Sequence, residues 1–266
     1  MAMRRPAVAG QFYPYRREQL VREIEEHLSR ANVSQMPCIG AVVPHAGYMF
    51  SGPVAAYAYK ALPRAETYVI IGPNHRGRGS GAAVSTEKWS TPLGEVEVDL
   101  DFINAMPLEI IDKDEDAHRY EHSLEVQLPF LQHIFKDFKI VPICIALQDE
   151  MSAMEIGNEV SEAVKKTGKK VIILASSDFT HYEPEEVARA KDKYFIEAIL
   201  NLDILEFYKR LYEKNATVCG YGAIAALIQA SKNLGAKKGE LLKYGTSGDI
   251  IPDRSEVVGY DAIAIK

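Results

Sequence analysis

The residues best suited to chemistry in this chain are its histidines, and three of them recur in one setting. His45 stands in Pro44-His45-Ala46-Gly47-Tyr48 after the apolar run 39–43, and His75 closes Gly72-Pro73-Asn74-His75 after the run 68–71. His181 ends Ser176-Ser177-Asp178-Phe179-Thr180-His181 after the run 171–175. Each time a buried-type strand gives way to a polar turn. In open α/β sheets, ligands bind in the crevice beyond the carboxyl ends of parallel strands. Three such turns on neighbouring strands would therefore gather His45, His75, Asp178 and His181 at one end of a sheet. Imidazoles converging beside a carboxylate serve as metal ligands or as a general acid–base assembly.

The cysteines divide by setting. Cys38 and Cys144 sit in or beside apolar runs and read as core filler. Cys219 lies in Thr217-Val218-Cys219-Gly220-Tyr221-Gly222, which opens an apolar helix over 220–234. The exposed amides at a helix N-terminus lower a thiol's pKa, which favours the thiolate that binds metal or attacks electrophiles. In Glu121-His122-Ser123-Leu124, His122 precedes a helical stripe of Leu124, Leu128 and Leu131 and is a candidate to line the site. Glu125 and Gln127 are expected to face solvent, and His27, His118 and His133 to be surface residues.

The elements that must position these groups follow from hydrophobic patterning. The continuous β-branched runs 39–43, 68–71, 140–145 and 171–175 suit strands covered on both faces, as in a parallel sheet. Pro142 interrupts the third and demotes it toward an edge or a bulge. Helical patterns occupy 18–31, 52–62, 123–135, 151–167, 185–200 and 220–234, and two late segments, 240–244 and 257–265, read as further strands. Strand and helix alternate along the chain, which predicts a three-layer α/β/α sandwich around a central, mostly parallel sheet. With no linker and no repeat, residues 1–266 read as a single domain.

Composition narrows the function further. The 266 residues are 47% hydrophobic and 26% charged, the proportions of an ordinary globular protein. A formal charge of −6 argues against a nucleic-acid partner held on a basic surface. No apolar run approaches the roughly 18 residues of a membrane span, and the N-terminus lacks the apolar core of a signal peptide. Three widely spaced cysteines argue against a disulfide framework and for a reducing compartment, the cytoplasm. No phosphate-binding loop, nucleophile elbow or HExxH motif is present. Gly77-Arg78-Gly79-Ser80-Gly81-Ala82 imitates a dinucleotide-binding pattern but leads into a strand-like segment, so no helix N-terminus is offered to a pyrophosphate.

Taken together, the segment 7–14, Pro44-His45-Ala46-Gly47-Tyr48 with Ser51-Gly52, Gly72-Pro73-Asn74-His75, residues 121–125, Ser176 to His181 and Cys219-Gly220 resemble the Memo family, in the family's order. The resemblance covers residues 7 to about 222. It implies a fold similar to LigB-type, class III extradiol dioxygenases, which hold non-haem iron with two histidines and a carboxylate. By motif, His45 and His75 match the histidine ligands, His181 matches the catalytic histidine, and Asp178 belongs to the same pocket. Cys219 stands where those enzymes have a glutamate. Two imidazoles and a thiolate are softer than the usual iron(II) set. The resemblance thus implies one transition-metal ion, iron(II) or copper(I), with zinc as a further option, in a redox enzyme whose reaction the motif does not fix. His181, oriented by Asp178, would move protons, while His122 and Tyr48 would line a pocket for a small-molecule or peptide ligand. Two other readings stay open. One is a non-enzymatic module that binds a peptide or carries a metal. The other is a hydrolase or transferase using the Cys219 thiolate with His181 as base.

Overall fold

The computed structural model describes residues 3–266. In chain order it runs β1 (Met3–Arg4), α1 (Arg17–Arg30), β2 (Gly40–Val43), α2 (Tyr48–Ala61), β3 (Thr67–Pro73), β4 (Ala82–Val84), β5 (Lys88–Thr91), β6 (Gly94–Val98), α3 (Leu100–Ala105) and β7 (Asp112–Lys113). A 3₁₀ turn (Glu125–Gln127) then leads into α4 (Leu128–Ile134), β8 (Lys139–Ile145), α5 (Glu150–Thr167), β9 (Val171–Ser176) and β10 (His181–Glu183). The chain ends with α6 (Glu185–Leu200), α7 (Ile204–Glu213), α8 (Tyr221–Asn233), β11 (Gly239–Thr246) and β12 (Val257–Ile265).

The expected α/β sandwich is present. The central strands lie in the order β6-β8-β3-β9-β2, and every neighbouring pair among them is parallel. Antiparallel β12 adds beside β2, with β11 and β10 paired to it. Helix α2, backed by α1 and α4, covers one face, and α8, backed by α5, covers the other. The apolar runs are buried because helices lie on both faces, and their side chains merge into one core cluster. Among the described residues, no helix is long and apolar enough to cross a membrane.

Pro142 does not mark an edge. Strand β8 is interior, paired with β3 on one side and with β6 and then β4 on the other. Pro142 falls where β6, which pairs Lys139 and Ile140, gives way to β4, which pairs from Ile143 onward, so its missing N–H breaks no ladder there. The hairpin of β5 and β6 and the helix α7 were not anticipated. The α7 start is capped by Asp203, whose carboxylate accepts from Glu206 N at 3.0 Å.

Several polar residues expected at the surface are buried instead. Glu125 and His118 are fully buried, Gln127 is 1% exposed and His27 7%. Glu125 earns its place by accepting from Ala7 N, Val8 N, Tyr13 Oη and Arg4, which straps residues 4–13 across the 3₁₀ turn. Pairing and hydrogen bonds of this kind offset the cost of burying a carboxylate.

Candidate metal centre

The carboxyl ends of the parallel strands coincide. Val43 pairs with Ser176 and Ile71 with Ala175, so the turns that leave β2, β3 and β9 open at one level. They bring His45 and His75 together with ring centroids 5.1 Å apart and nearly perpendicular planes. His122 joins them, stacked on His75 at 4.5 Å and edge-on to His45 at 5.3 Å. One ring nitrogen from each of His45, His75 and His122 lies within 4.8 Å of the other two.

Each ring is held from behind. Glu121, fully buried, accepts from His75 Nδ1 at 2.9 Å and from the backbone of His75, His122 and Ser123 at 2.7 to 2.9 Å. A carboxylate only accepts, so His75 carries its proton on Nδ1 and leaves Nε2 bare. Burial would raise the Glu121 carboxyl, but the His75 hydrogen bond and the nearby imidazoles and amides outweigh it and bring it down to about 2. His45 is 2% exposed, with Nδ1 2.9 Å from Ser176 Oγ. Burial first, then the three neighbouring histidines, hold its pKa well below the ordinary value. His122 is lowered to about 4, again chiefly by burial. Its Nδ1 lies 3.2 Å from Glu121 Oε1 without hydrogen-bond geometry. Phe12 packs against the His122 ring with centroids 4.5 Å apart. The shifts at His45 and His122 favour the uncharged ring, the state that ligates metal.

Cys219 is separated from α8 only by Gly220, and its Sγ lies 3.2 Å from His45 Nε2. The helix-terminus argument predicted a lowered thiol pKa, but burial, and then the Asp178 carboxylate, push it up. Desolvation beats the helix N-terminus because the sulfur faces the interior of the site and a carboxylate rather than open solvent. Asp178 accepts from His45 N at 2.7 Å and Ala46 N at 3.3 Å, so it holds the His45 turn. It is not the group that orients His181. The His181 Nδ1 instead lies 2.6 Å from Phe179 O and 2.9 Å from Thr217 O. Two carbonyls accept only, so this nitrogen carries a proton, and the uncharged ring then has its lone pair on Nε2. A β-bulge between His181 and Glu183, with Tyr182 at φ 57°, turns the strand at this point.

Tyr48 is 2% exposed and spends its hydroxyl on Val126 O at 2.7 Å, among Tyr13 and Phe130. Cys144 is fully buried, whereas Cys38 is half-buried with its thiol pushed up to about 11 by burial. Beside the histidines a groove of about 630 Å³ is lined by Phe12, Tyr13, Tyr15, Arg16, Met49 and Phe50, among others. Phe12 is common to the groove and the His122 contact.

The donor set fits a transition-metal ion. It offers three converging imidazoles, a soft sulfur beside them and carboxylate-backed orientation, the features of catalytic metal sites. The backing residues Glu121, Ser176 and Gln127 were not read from the sequence. The signals for them were a carboxylate directly before His122, a hydroxyl on the last residue of a buried strand and an amide inside an apolar stripe.

Comparison with known proteins agrees with the motif resemblance. The family model for Memo-like proteins matches residues 4–264. A MEMO1 family protein of Methanosarcina barkeri is 53% identical over 265 residues, spanning 99% of this chain and 100% of that protein. One of Archaeoglobus fulgidus is 52% identical over 264 residues with the same coverage, and one of Methanocaldococcus jannaschii is 43% identical over 284, covering 99% of both chains. Among solved structures, the uncharacterized protein JW3007 of Escherichia coli K12 aligns with a TM-score of 0.50 at 13% identity, over 78% of this chain and 89% of that one. That likeness concerns the fold alone.

Proposed function

The chain belongs to the Memo family, and we propose that it binds one transition-metal ion at the ends of β2 and β3 and uses it for redox chemistry on a small-molecule or peptide ligand. Iron(II) and copper(I) head the list of ions, with zinc(II) as the redox-silent option. The observation that carries this reading is the convergence of His45, His75 and His122 within 4.8 Å; the Cys219 sulfur lies outside that mutual set but only 3.2 Å from His45. In this reading His45, His75 and Cys219 hold the ion, and His122 borders the open position. When bound, such an ion supplies Lewis acidity and, for iron or copper, an electron couple.

The remaining roles fall to the chain itself. Glu121 and Asp178 orient His75 and the His45 turn through the bonds described above. His181, with a bare Nε2 and an anchored ring, takes or returns a proton at a bound ligand. The groove lined by Phe12 and Phe50 receives the ligand's apolar part and keeps water from it. A thiol hydrolase fits less well, because the imidazole next to Cys219 is His45 and not the His181 that would serve as its base.

The test is anaerobic titration with Fe(II), Cu(I) and Zn(II) of the wild type and of the variants His45→Ala, His75→Ala, Cys219→Ser and His181→Ala. The expected result is tight one-to-one binding, abolished in the first two variants, weakened in Cys219→Ser and unchanged in His181→Ala. Loss of binding in His181→Ala with full binding in Cys219→Ser would overturn the ligand assignment. A wild type that takes up none of the three ions would overturn the metal reading.

A further inference from the structure

Behind His45 lies a chain of hydrogen bonds whose proton positions can be worked out one by one. The Gln127 side-chain nitrogen sits 3.1 Å from Pro44 O, 3.4 Å from Ser123 O and 2.7 Å from Ser176 Oγ. Carbonyl oxygens only accept, so the amide must present its NH₂ here, and the opposite amide orientation would set oxygen against oxygen. The Gln127 carbonyl end is correspondingly met by the Tyr59 hydroxyl. Ser176 Oγ is in turn 2.6 Å from Ser123 O. That contact needs a proton, and the only one available is the serine hydroxyl's own. Ser176 has therefore spent its single donor on Ser123 and received one donor from Gln127. At its remaining neighbour, His45 Nδ1 at 2.9 Å, it can only accept.

We infer that Ser176, held by Gln127, is a positioning residue that fixes His45 in the Nδ1–H tautomer and aims a bare Nε2 into the site. On the far side of the ring, Nε2 faces the Cys219 sulfur at 3.2 Å. The relay is sealed: Ser176 and Tyr59 are fully buried and Gln127 is 1% exposed, so water is poorly placed to substitute for any member. Backbone room for it comes from Gly72, where a Cβ would stand 2.9 Å from Ser123 Oγ and 3.3 Å from Ser176 Cβ. The histidines are thus preset by two different devices, a carboxylate behind His75 and a saturated hydroxyl behind His45. The hydroxyl device sets the same tautomer without placing a further carboxyl group in a site that already holds Glu121 and Asp178.

The tautomer belongs to the metal-free protein, and only its consequence for affinity rests on the metal reading above. Two-bond ¹⁵N–¹H correlation spectra of metal-free protein with ¹⁵N-labelled histidine should show His45 as a single Nδ1–H species above pH 8. In Ser176→Ala, His45 should move to the Nε2–H form or to a mixture, while His75, held by Glu121, keeps its pattern. Ser176→Thr retains the hydroxyl and should restore the wild-type signature. If Ser176→Ala does not fold, Gln127→Met serves, since it frees the Ser176 hydroxyl to turn and should give two His45 tautomers. Loss of this orienting bond should also weaken metal binding by about 10- to 100-fold in Ser176→Ala and not in Ser176→Thr. A wild-type His45 protonated on Nε2, or a tautomer unmoved by Ser176→Ala, would overturn the relay. A tautomer that moves with no change in affinity would leave the relay standing and remove His45 from the metal ligands.

Discussion

Glu121 Oε1 lies 2.9 Å from His75 Nδ1, and the carboxylate that makes this bond is fully buried. The same side chain takes three backbone N–H groups, so it ties the turn after β3 to the segment that carries His122. Glu121→Gln keeps the shape but replaces one acceptor oxygen with a donor, and either His75 Nδ1 or a backbone amide loses its partner. Metal affinity should fall by about 10- to 100-fold, as for other orienting carboxylates. Glu121→Ala should also cost roughly 3–5 kcal/mol of stability, because several buried donors are left unpaired. Titration calorimetry and urea unfolding separate the two effects. Full affinity in Glu121→Gln would show that His75 needs no orienting group.

Away from the site, His118 should make the fold sensitive to acid. It is fully buried, Nε2 donates to Ala83 O at 3.1 Å, and Nδ1 has no partner among the described residues. Burial above all, with Arg4 adding to it against Glu115, lowers its pKa to about 4 from an ordinary value near 6.5. A depressed histidine pKa means the unfolded state takes up the proton first. Stability from this group is therefore complete above about pH 6.5 and drains away as the pH falls toward 4, by roughly 3 kcal/mol in all. His118→Gln keeps a donor for Ala83 O without the titration, so its urea-unfolding free energy should fall less between pH 7 and pH 4.5. Equal slopes in the two proteins would refute this assignment.

The strand-end turns of His45, His75 and His181 were legible in the sequence because two local signals coincide there, an apolar run and the polar residues that end it. The alternation of such runs with helical patterns gave the sandwich and its parallel centre for the same reason. What lay hidden depends on contacts between distant segments. Glu125 looked solvent-facing because its partners, Arg4 and Tyr13, are more than a hundred positions away. Gln127 faces Ser176 across the sheet end, and no periodicity in residues 121–135 marks it. The helix-terminus argument for Cys219 was local and missed the desolvation that only tertiary packing brings. Pro142 was misjudged because a proline is compatible with an interior strand where its neighbour changes, and that exchange of β6 for β4 is a topological fact.

Asp261 should be a stability liability at neutral pH. It is fully buried on β12, and neither carboxylate oxygen has a hydrogen-bond partner among the described residues. Burial, then Asp192 and Asp178, raise its pKa well above the ordinary value. An acid whose folded pKa is raised stabilises the fold below its unfolded pKa, near 4, and loses that contribution as the pH climbs toward the folded value. Each pH unit in that window is worth about 1.4 kcal/mol. Asp261→Asn removes the penalty, so its Tm should exceed that of the wild type at pH 7.5 by more than at pH 4. A variant less stable than the wild type at pH 7.5 would point to an ionised Asp261 with a partner of its own.

Gly220 offers the sharpest separation of site geometry from general stability. It lies between Cys219 and α8 at φ −109°, a backbone open to any residue, so what reserves it for glycine is space. A Cβ here would stand 2.4 Å from Ser176 O, 2.8 Å from Ser177 Cβ and 2.9 Å from Ser177 Oγ, two of these being atoms with little freedom to retreat. Gly220→Ala must therefore push the start of α8 away from the end of β9. Cys219 moves with it, away from His45, and the bond from Gly220 N to Ser177 Oγ at 3.0 Å is strained as well. The expected cost is about 1–3 kcal/mol of stability for the overpacking, together with a clear loss of metal affinity. Gly235 supplies the control. At φ 97° with nothing within 4 Å of a built Cβ, Gly235→Ala suffers backbone strain of about 1–2 kcal/mol but no clash, far from the histidines in sequence. Calorimetric Tm values for the two variants should be comparable, whereas only Gly220→Ala should lose metal affinity. If both variants bind metal like the wild type, the position of the Cys219 sulfur does not matter to the ion, and three imidazoles alone hold it.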